Sequence, residues 1–102
     1  MYIIQKTDVF DKWLSKLKDK SAKARILIRI KRIENGNFGD SKDIGNKVEE
    51  LRFFQGPGYR VYFTRRGNQI ILLLNGGDKS SQSKDVKKAK EILKSIGDYH
   101  EN

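Results

Sequence analysis

The chain has 102 residues, which suffices for one modest hydrophobic core, so residues 1–102 are taken as a single domain. Lysine and arginine exceed aspartate and glutamate by 22 to 13, and the resulting net charge of +9 makes nucleic acid the leading class of partner. The chain has no cysteine and a single histidine, which argues against disulfides and a conventional metal site. It also has no long apolar run, which argues against a secretion signal and a membrane span. We therefore expect a cytoplasmic protein without a cofactor.

The first elements in the chain are a predicted strand and a predicted helix. Residues 1–6 favour a strand, and Thr7 or Asp8 can cap the helix that follows. Apolar side chains then recur at helical spacing, which predicts one buried stripe. The stripe contains Val9, Phe10, Trp13, Leu14 and Leu17.

A second helix is expected from a Ser21 cap to a stop at Asn35-Gly36. Its predicted inner face consists of Ile26, Leu27, Ile30 and Ile33. Ile28 lies toward the opposite face, where it is either a contact for a partner or a lone exposed isoleucine. The glycine-rich and polar residues 37–47 then predict a loop.

Basic side chains are concentrated in these two helices, and Asp19 is the only acid between Lys12 and Arg32. Such faces are usually solvated surface, but together they predict sequence-independent, salt-sensitive contacts with RNA phosphates. The candidate RNA-binding residues are Lys16, Lys20, Lys23, Arg25, Arg29 and Arg32.

From Val48 the apolar period changes to two, which predicts strands. In the first of these, Leu51 and Phe53 point to one side of a sheet, and Glu50 and Arg52 point to the other. The glycine-proline turn at residues 55–58 then folds the chain back.

The second strand, residues 59–65, turns Arg60 and Tyr62 to the side that carries Arg52. A third strand at residues 69–74 is uniformly apolar, which predicts burial on both faces, and Gly76-Gly77 is expected to end it. Ser81 or Ser83 then starts a last helix. Its predicted inner stripe is Val86, Ala89, Ile92 or Leu93, and Ile96.

The predicted order is therefore β-α-α-β-β-β-α, an α+β fold in which an N-terminal helical hairpin packs on a small antiparallel sheet. This layout is accompanied by ELRF at residues 50–53, GPGYRVYF at 56–63 and LLLNGGDKSSQ at 72–82. Together they resemble the RelE/ParE toxin superfamily, and within it the HigB-like addiction module killer proteins. The resemblance covers essentially the whole chain.

The resemblance implies a toxin of a type II toxin-antitoxin system. Its RelE and HigB relatives are ribosome-dependent endoribonucleases that cut mRNA, inhibit translation and are neutralised by an antitoxin, typically a helix-turn-helix DNA-binding protein. The implied reaction is metal-free: the ribose 2′-hydroxyl attacks the adjacent phosphate and leaves a cyclic phosphate and a 5′-hydroxyl. It requires a base, cations for the developing phosphorane charge and a proton donor.

The resemblance also implies roles for particular residues. Arg60 matches the arginine that stabilises the phosphate, with Arg52 and Lys79 as further cations. The alternatives are a strand arginine paired with Glu50 and, for Lys79, a plain loop lysine. Val48 and Glu50 stand where RelE relatives carry lysines, one of them a candidate base. Glu50 is therefore either a carboxylate base or an ion-pair partner of Arg52 or Arg60.

Near the end of the chain, Asp98-Tyr99-His100 resembles the Asp-Tyr-His sequence of some HigB toxins. Histidine exchanges protons near neutral pH, and tyrosine can donate to a leaving oxygen or stack on a base. Tyr99 and His100 are thus candidate catalytic residues, the alternative being a frayed terminus. Tyr62 is a further candidate for base stacking, the alternative being an ordinary sheet tyrosine.

Two other functions stay open from the sequence. One is a ParE-like inhibitor that binds DNA gyrase without chemistry of its own. The other is a non-toxic basic RNA-binding module with an inert sheet face. Because function belongs to the site and not to the fold, the resemblance alone does not separate them.

Overall fold

The computed structural model describes residues 1–96. These residues form five strands, three α-helices and one 3₁₀ turn. In chain order they are β1 (Ile3–Lys6), α1 (Asp8–Lys16), α2 (Lys20–Glu34), β2 (Ser41–Asp43), β3 (Glu49–Arg52), β4 (Arg60–Arg66), β5 (Ile70–Gly77), the 3₁₀ turn (Lys79–Ser81) and α3 (Gln82–Ile96). Among these helices, none combines the length and apolar character that a membrane crossing requires.

The α+β class is confirmed, but the sheet is mixed and not wholly antiparallel. Its strand order is β1-β5-β4-β3-β2, and β1 runs parallel to β5 with Ile3 opposite Ile70. The meander β3-β4-β5 is antiparallel, as predicted. Hairpin turns constrain only strands that are neighbours in sequence, so they carry no information on where β1 joins.

The predicted loop at residues 37–47 contains the short strand β2, which pairs antiparallel with β3. Its residues, Ser41 to Asp43, show no apolar alternation. Backbone hydrogen bonds to β3 make this segment a strand, and such bonds leave no trace in side-chain periodicity. The loop prediction was therefore wrong at these three positions.

The helices cover both faces of the sheet. On one face, α1 and α2 pack against the inward residues of β3, β4 and β5, including Leu51, Val61 and Phe63. On the other face, α3 packs through Ala89 against a second cluster that contains Tyr62. The sheet face predicted to carry the active site is therefore partly covered by α3, because β4 and β5 bury alternate side chains in both directions.

Several helix boundaries follow from their caps. Thr7 caps α1 as expected, and its side chain accepts a hydrogen bond from the Phe10 backbone. α2 is capped by Asp19 and not by Ser21, because the Asp19 carboxylate accepts from the Ala22 backbone at 3.0 Å. α2 ends at Glu34, and Asn35 is its C-cap, as the predicted stop at Asn35-Gly36 requires.

The structure differs from the sequence-based prediction at two further places, one in α2 and one in β5. Leu27 is 49% exposed and does not belong to the inner face of α2. β5 continues through Gly76 and Gly77 instead of ending before them. Glycine is required there by close approach, since a side chain at Gly76 would collide with Trp13 and one at Gly77 with Asp85.

Candidate active site

A cluster of buried and half-buried polar side chains lies between the sheet and the start of α3. It occupies the face on which alternation placed Glu50, Arg60 and Tyr62, and the register sets Glu50 opposite Tyr62 on the neighbouring strand. The polar cluster comprises Glu50, Arg60, Tyr62, Asn75, Gln82 and Asp85. Most buried charge in the described part of the chain is therefore collected at one place.

Arg60 and Glu50 form the centre of the polar cluster. Arg60 Nε lies 3.8 Å from Glu50 Oε1, and the two side chains are 10% and 2% exposed. Gln82 Nε2 donates to Glu50 Oε2 at 2.8 Å. Arg60 Nη1 donates to the backbone oxygens of Gly58 and Tyr59 at 3.1 and 3.3 Å. The ion-pair alternative for these two residues is thus the arrangement observed.

Several buried polar atoms in this cluster have no hydrogen-bond partner within residues 1–96. They are Arg60 Nε, Tyr62 Oη and Asn75 Oδ1. Folded proteins pair nearly all such atoms, so an accumulation of them calls for a water or a ligand at the same place. The polar cluster therefore has unused donor and acceptor capacity, some of it on its central cation.

Tyr62 is fully buried, and its ring does not reach the surface to stack on a base. Burial raises the pKa of Tyr62, and the negative charges of Glu50 and Asp85 raise it further. The phenol therefore stays protonated at neutral pH. It is a neutral polar group two residues from Arg60 on the same strand.

Lys79 lies at the mouth of the polar cluster. Its backbone nitrogen donates to the Pro57 oxygen at 3.3 Å, which ties the 3₁₀ turn to the β3–β4 turn. A Cβ atom on Gly58 would lie 3.4 Å from Lys79 Cβ and 3.5 Å from Arg60 Nη1. Gly58 has a φ of +73°, which favours glycine. The structure thus brings Lys79 and Arg60 together on either side of Gly58.

Arg52 is directly opposite Arg60 in the register, but its guanidinium is engaged elsewhere. Arg52 Nη2 contacts Asp40 Oδ1 at 3.1 Å, and both side chains are 34% exposed. Arg29 Nη1 donates to the Arg52 backbone oxygen at 2.7 Å, which ties the end of β3 to α2. Arg52 therefore borders the polar cluster, and Glu50 pairs with Arg60 instead of with Arg52.

The basic residues of the helices have different environments. Lys16, Lys20 and Arg32 are exposed, and Lys23 and Arg25 are half-buried. Arg29 is the exception, since its guanidinium lies 4.6 Å from the centre of the Phe53 ring and binds two backbone oxygens. Burial lowers the pKa of Arg29, partly opposed by Asp40. Arg29 is therefore a structural link between α2 and the sheet and not an exposed phosphate contact.

These helices cover the sheet face opposite the polar cluster, so the structure does not bring the basic helix surface and Arg60 onto one face. Ile28 is 52% exposed on α2, beside Leu27. The candidate residues Tyr99 and His100 lie outside the described residues. Within residues 1–96, no group of three histidine, aspartate or glutamate side chains is arranged to hold a metal ion.

Sequence reasoning missed the contribution of α3 to this cluster. Gln82 binds Glu50, and the Asp85 backbone oxygen accepts from Asn75 Nδ2 at 3.1 Å. The available signal was the spacing of Gln82 and Asp85 in the segment after Gly77, since residues three apart share one face of a helix. The absence of a side chain on Gly77 gives Asp85 room to approach the sheet.

One comparison with known proteins identifies a family, and another finds a similar protein. A family model described as "Phage derived protein Gp49-like (DUF891)" matches residues 12–95, a range that includes the whole polar cluster. An uncharacterized protein of Haemophilus influenzae is 50% identical to this chain over 94 residues, which is 92% of this chain and 95% of that protein. Neither description names an activity.

Proposed function

Because this chain belongs to the Gp49-like (DUF891) family of phage-derived proteins, we propose that it is the toxin of a type II toxin-antitoxin system and acts as a ribosome-dependent mRNA endoribonuclease. The family is associated with RelE-like toxins, which agrees with the motifs in the sequence. The observation that carries the proposal is Arg60, a guanidinium held by Glu50 and by two backbone oxygens next to the exposed Lys79.

Arg60 is the group assigned to the scissile phosphate. A fixed cation in a low-dielectric surrounding interacts more strongly with a developing negative charge than a solvated one, and it needs no reorganisation during the reaction. Contacts with Glu50 and with two backbone oxygens hold Arg60 in place before any substrate arrives. Lys79 adds a second positive charge at the exposed side.

Glu50 acts in this proposal as a positioning residue. Its side chain is 2% exposed, and its two oxygens face Arg60 and Gln82. Both oxygens are already engaged, so neither is assigned to the 2′-hydroxyl of the substrate. Proton transfer is therefore assigned to His100 and Tyr99, as the resemblance implies.

The partners in this proposal are the ribosome, mRNA and a cognate antitoxin of the helix-turn-helix class, all in the cytoplasm. The exposed lysine and arginine side chains of α1 and α2 lie on the side away from Arg60, and they are suited to contacts with the phosphates of ribosomal RNA. Binding and cleavage thus use opposite sides of the sheet.

The test compares the parent chain with Lys79→Ala and with the matched control Lys84→Ala, an exposed lysine five residues further along. Each is induced in bacteria, and mRNA 5′ ends within translated regions are mapped. We expect growth arrest with codon-phased 5′ ends from the parent and the control. For Lys79→Ala we expect cleavage weaker by about tenfold or more, the effect of losing one charge-assisted contact.

Lys79 is preferred to Arg60 for this test because its side chain is exposed and its removal leaves no buried charge unpaired. Arrest without new 5′ ends would contradict the nuclease proposal and direct attention to gyrase. No arrest from the parent chain would favour a non-toxic RNA-binding module. Equal cleavage by Lys79→Ala and the parent would remove Lys79 from the site.

A further inference from the structure

A groove opens at the far end of the sheet face that carries the polar cluster, between the C-terminal half of α3 and the end of β4. Its volume is about 1170 Å³. Arg66 lines it at one end of β4, whereas Arg60 begins the same strand. At roughly 3.3 Å per residue these two arginines are about 20 Å apart along the strand. None of the polar-cluster residues lines the groove.

The groove combines an aliphatic floor with a basic rim. The floor consists of Ile70, Leu72, Leu93 and Ile96. The rim consists of Lys47, Arg66, Lys87, Lys90 and Lys94, and Glu91 is the one acid among the described lining residues. The rim therefore presents a strong positive field around an apolar surface.

The rim charges are not neutralised within residues 1–96. The salt bridges found there include none of the five rim residues. Arg65 also lines the groove but is excluded from the rim, because Glu49 Oε2 accepts from its Nε at 2.7 Å. Arg66 Nη2 donates to the Ile96 backbone oxygen at 3.5 Å, which places this guanidinium beside the end of α3 without neutralising its charge. The rim cations therefore have no carboxylate partner within residues 1–96 and are available to carboxylates or phosphates of another molecule.

The composition of the floor decides between these two classes of ligand. Bases of a single RNA strand gain most from aromatic platforms, and no aromatic side chain is among the described residues that line the groove. Aliphatic surface is covered most favourably by apolar side chains of a protein. We propose that this groove is the docking site for an acidic, amphipathic segment of a protein partner, with apolar side chains on the floor and carboxylates at the rim.

Lys90 shows how the rim spans the groove. Its Nζ atom would lie 3.6 Å from a Cβ on Gly45, so the lysine reaches from α3 across to the turn before β3. A docked segment therefore meets positive charge from α3 and from the sheet side together. Identifying the partner with an antitoxin rests on the proposed function, whereas the docking itself does not.

The experiment selects peptides of about 15 residues from a random display library on the full chain and then measures their affinity by fluorescence anisotropy. We expect selected peptides to be rich in aspartate, glutamate and aliphatic residues. Affinity is then compared between Lys87→Glu/Lys94→Glu, which reverses two rim charges, and Lys84→Glu/Lys88→Glu, which makes the same change in net charge on α3 outside the groove. The groove variant should bind at least about tenfold more weakly than the control variant.

Other outcomes would overturn the proposal. Peptides that bind both variants equally, or a selection without acidic sequences, would show that the groove is not a protein docking site. Groove-dependent binding of an oligouridine, without peptide binding, would assign the groove to RNA. Self-association of the chain that the groove variant abolishes would assign it to a second copy. No arm of the experiment measures mRNA cleavage. A negative result would therefore overturn the docking proposal without bearing on the proposed function.

Discussion

Removal of Arg60 alone is expected to destabilise the protein strongly, because it leaves Glu50 charged and buried. The two side chains are 10% and 2% exposed, and the Nε to Oε1 distance is 3.8 Å. At an effective dielectric constant of about 20, two unit charges at this distance attract by about 4 kcal/mol, much of which offsets desolvation. We expect Arg60→Met to lower the free energy of unfolding by about 3 kcal/mol, the range for breaking a buried pair.

The double variant Arg60→Met/Glu50→Gln provides the control for this prediction. It removes both charges, Gln keeps the size of Glu, and Met replaces the unbranched stem of Arg, so the free energy of unfolding should return to within about 1–2 kcal/mol of the parent. Urea denaturation followed by circular dichroism measures all four proteins of the cycle. If Arg60→Met costs under about 1 kcal/mol, or if the two single effects simply add, the pair is not coupled and the reasoning fails.

Three further predictions concern other positions. Gly77→Ala should lower the unfolding free energy by about 2 kcal/mol through collision with Asp85, and Gly77→Ala/Asp85→Ala should recover part of it in thermal unfolding. Asp19→Ala should cost about 1 kcal/mol in urea and Ser21→Ala much less, since Asp19 is the cap of α2. Because the pKa of Tyr62 is raised in the folded state, its contribution to the free energy of unfolding should be constant below pH about 10 and fall above it, and Tyr62→Phe should remove that part of the decline.

The two faces of the sheet were predictable because strand alternation is local. Leu51 and Phe53 lie on one side and Glu50 on the other, as a period of two requires. The covering of the second face by α3 was not predictable in the same way. Helix docking depends on how the whole chain returns to the sheet, and no short segment encodes it. The sequence therefore placed Arg60 on the correct face and missed Gln82 above it.

The environment of Arg29 shows a second limit of periodicity. Its position on the helical wheel assigned it to the exposed face, because a pattern based on residue type treats every arginine as a surface residue. Its long side chain instead extends along the Phe53 ring to the backbone oxygens of Arg52 and Asp40. The apolar stem and planar head of arginine permit both environments, and only the tertiary structure decides between them.

The parallel pairing of β1 with β5 has a consequence for synthesis of the chain. Ile3 and Ile70 are register partners. During translation, the backbone of β1 therefore cannot pair with its neighbouring strand until β5, the last strand of the meander, has been synthesised. Closing so long a loop is entropically costly and makes folding slower than in a protein of local contacts. A nascent or prematurely terminated chain that lacks β5 has no completed sheet, and Arg60 then has a strand neighbour only on the β3 side. Correct assembly of this molecule is thus coupled to translation of its last third.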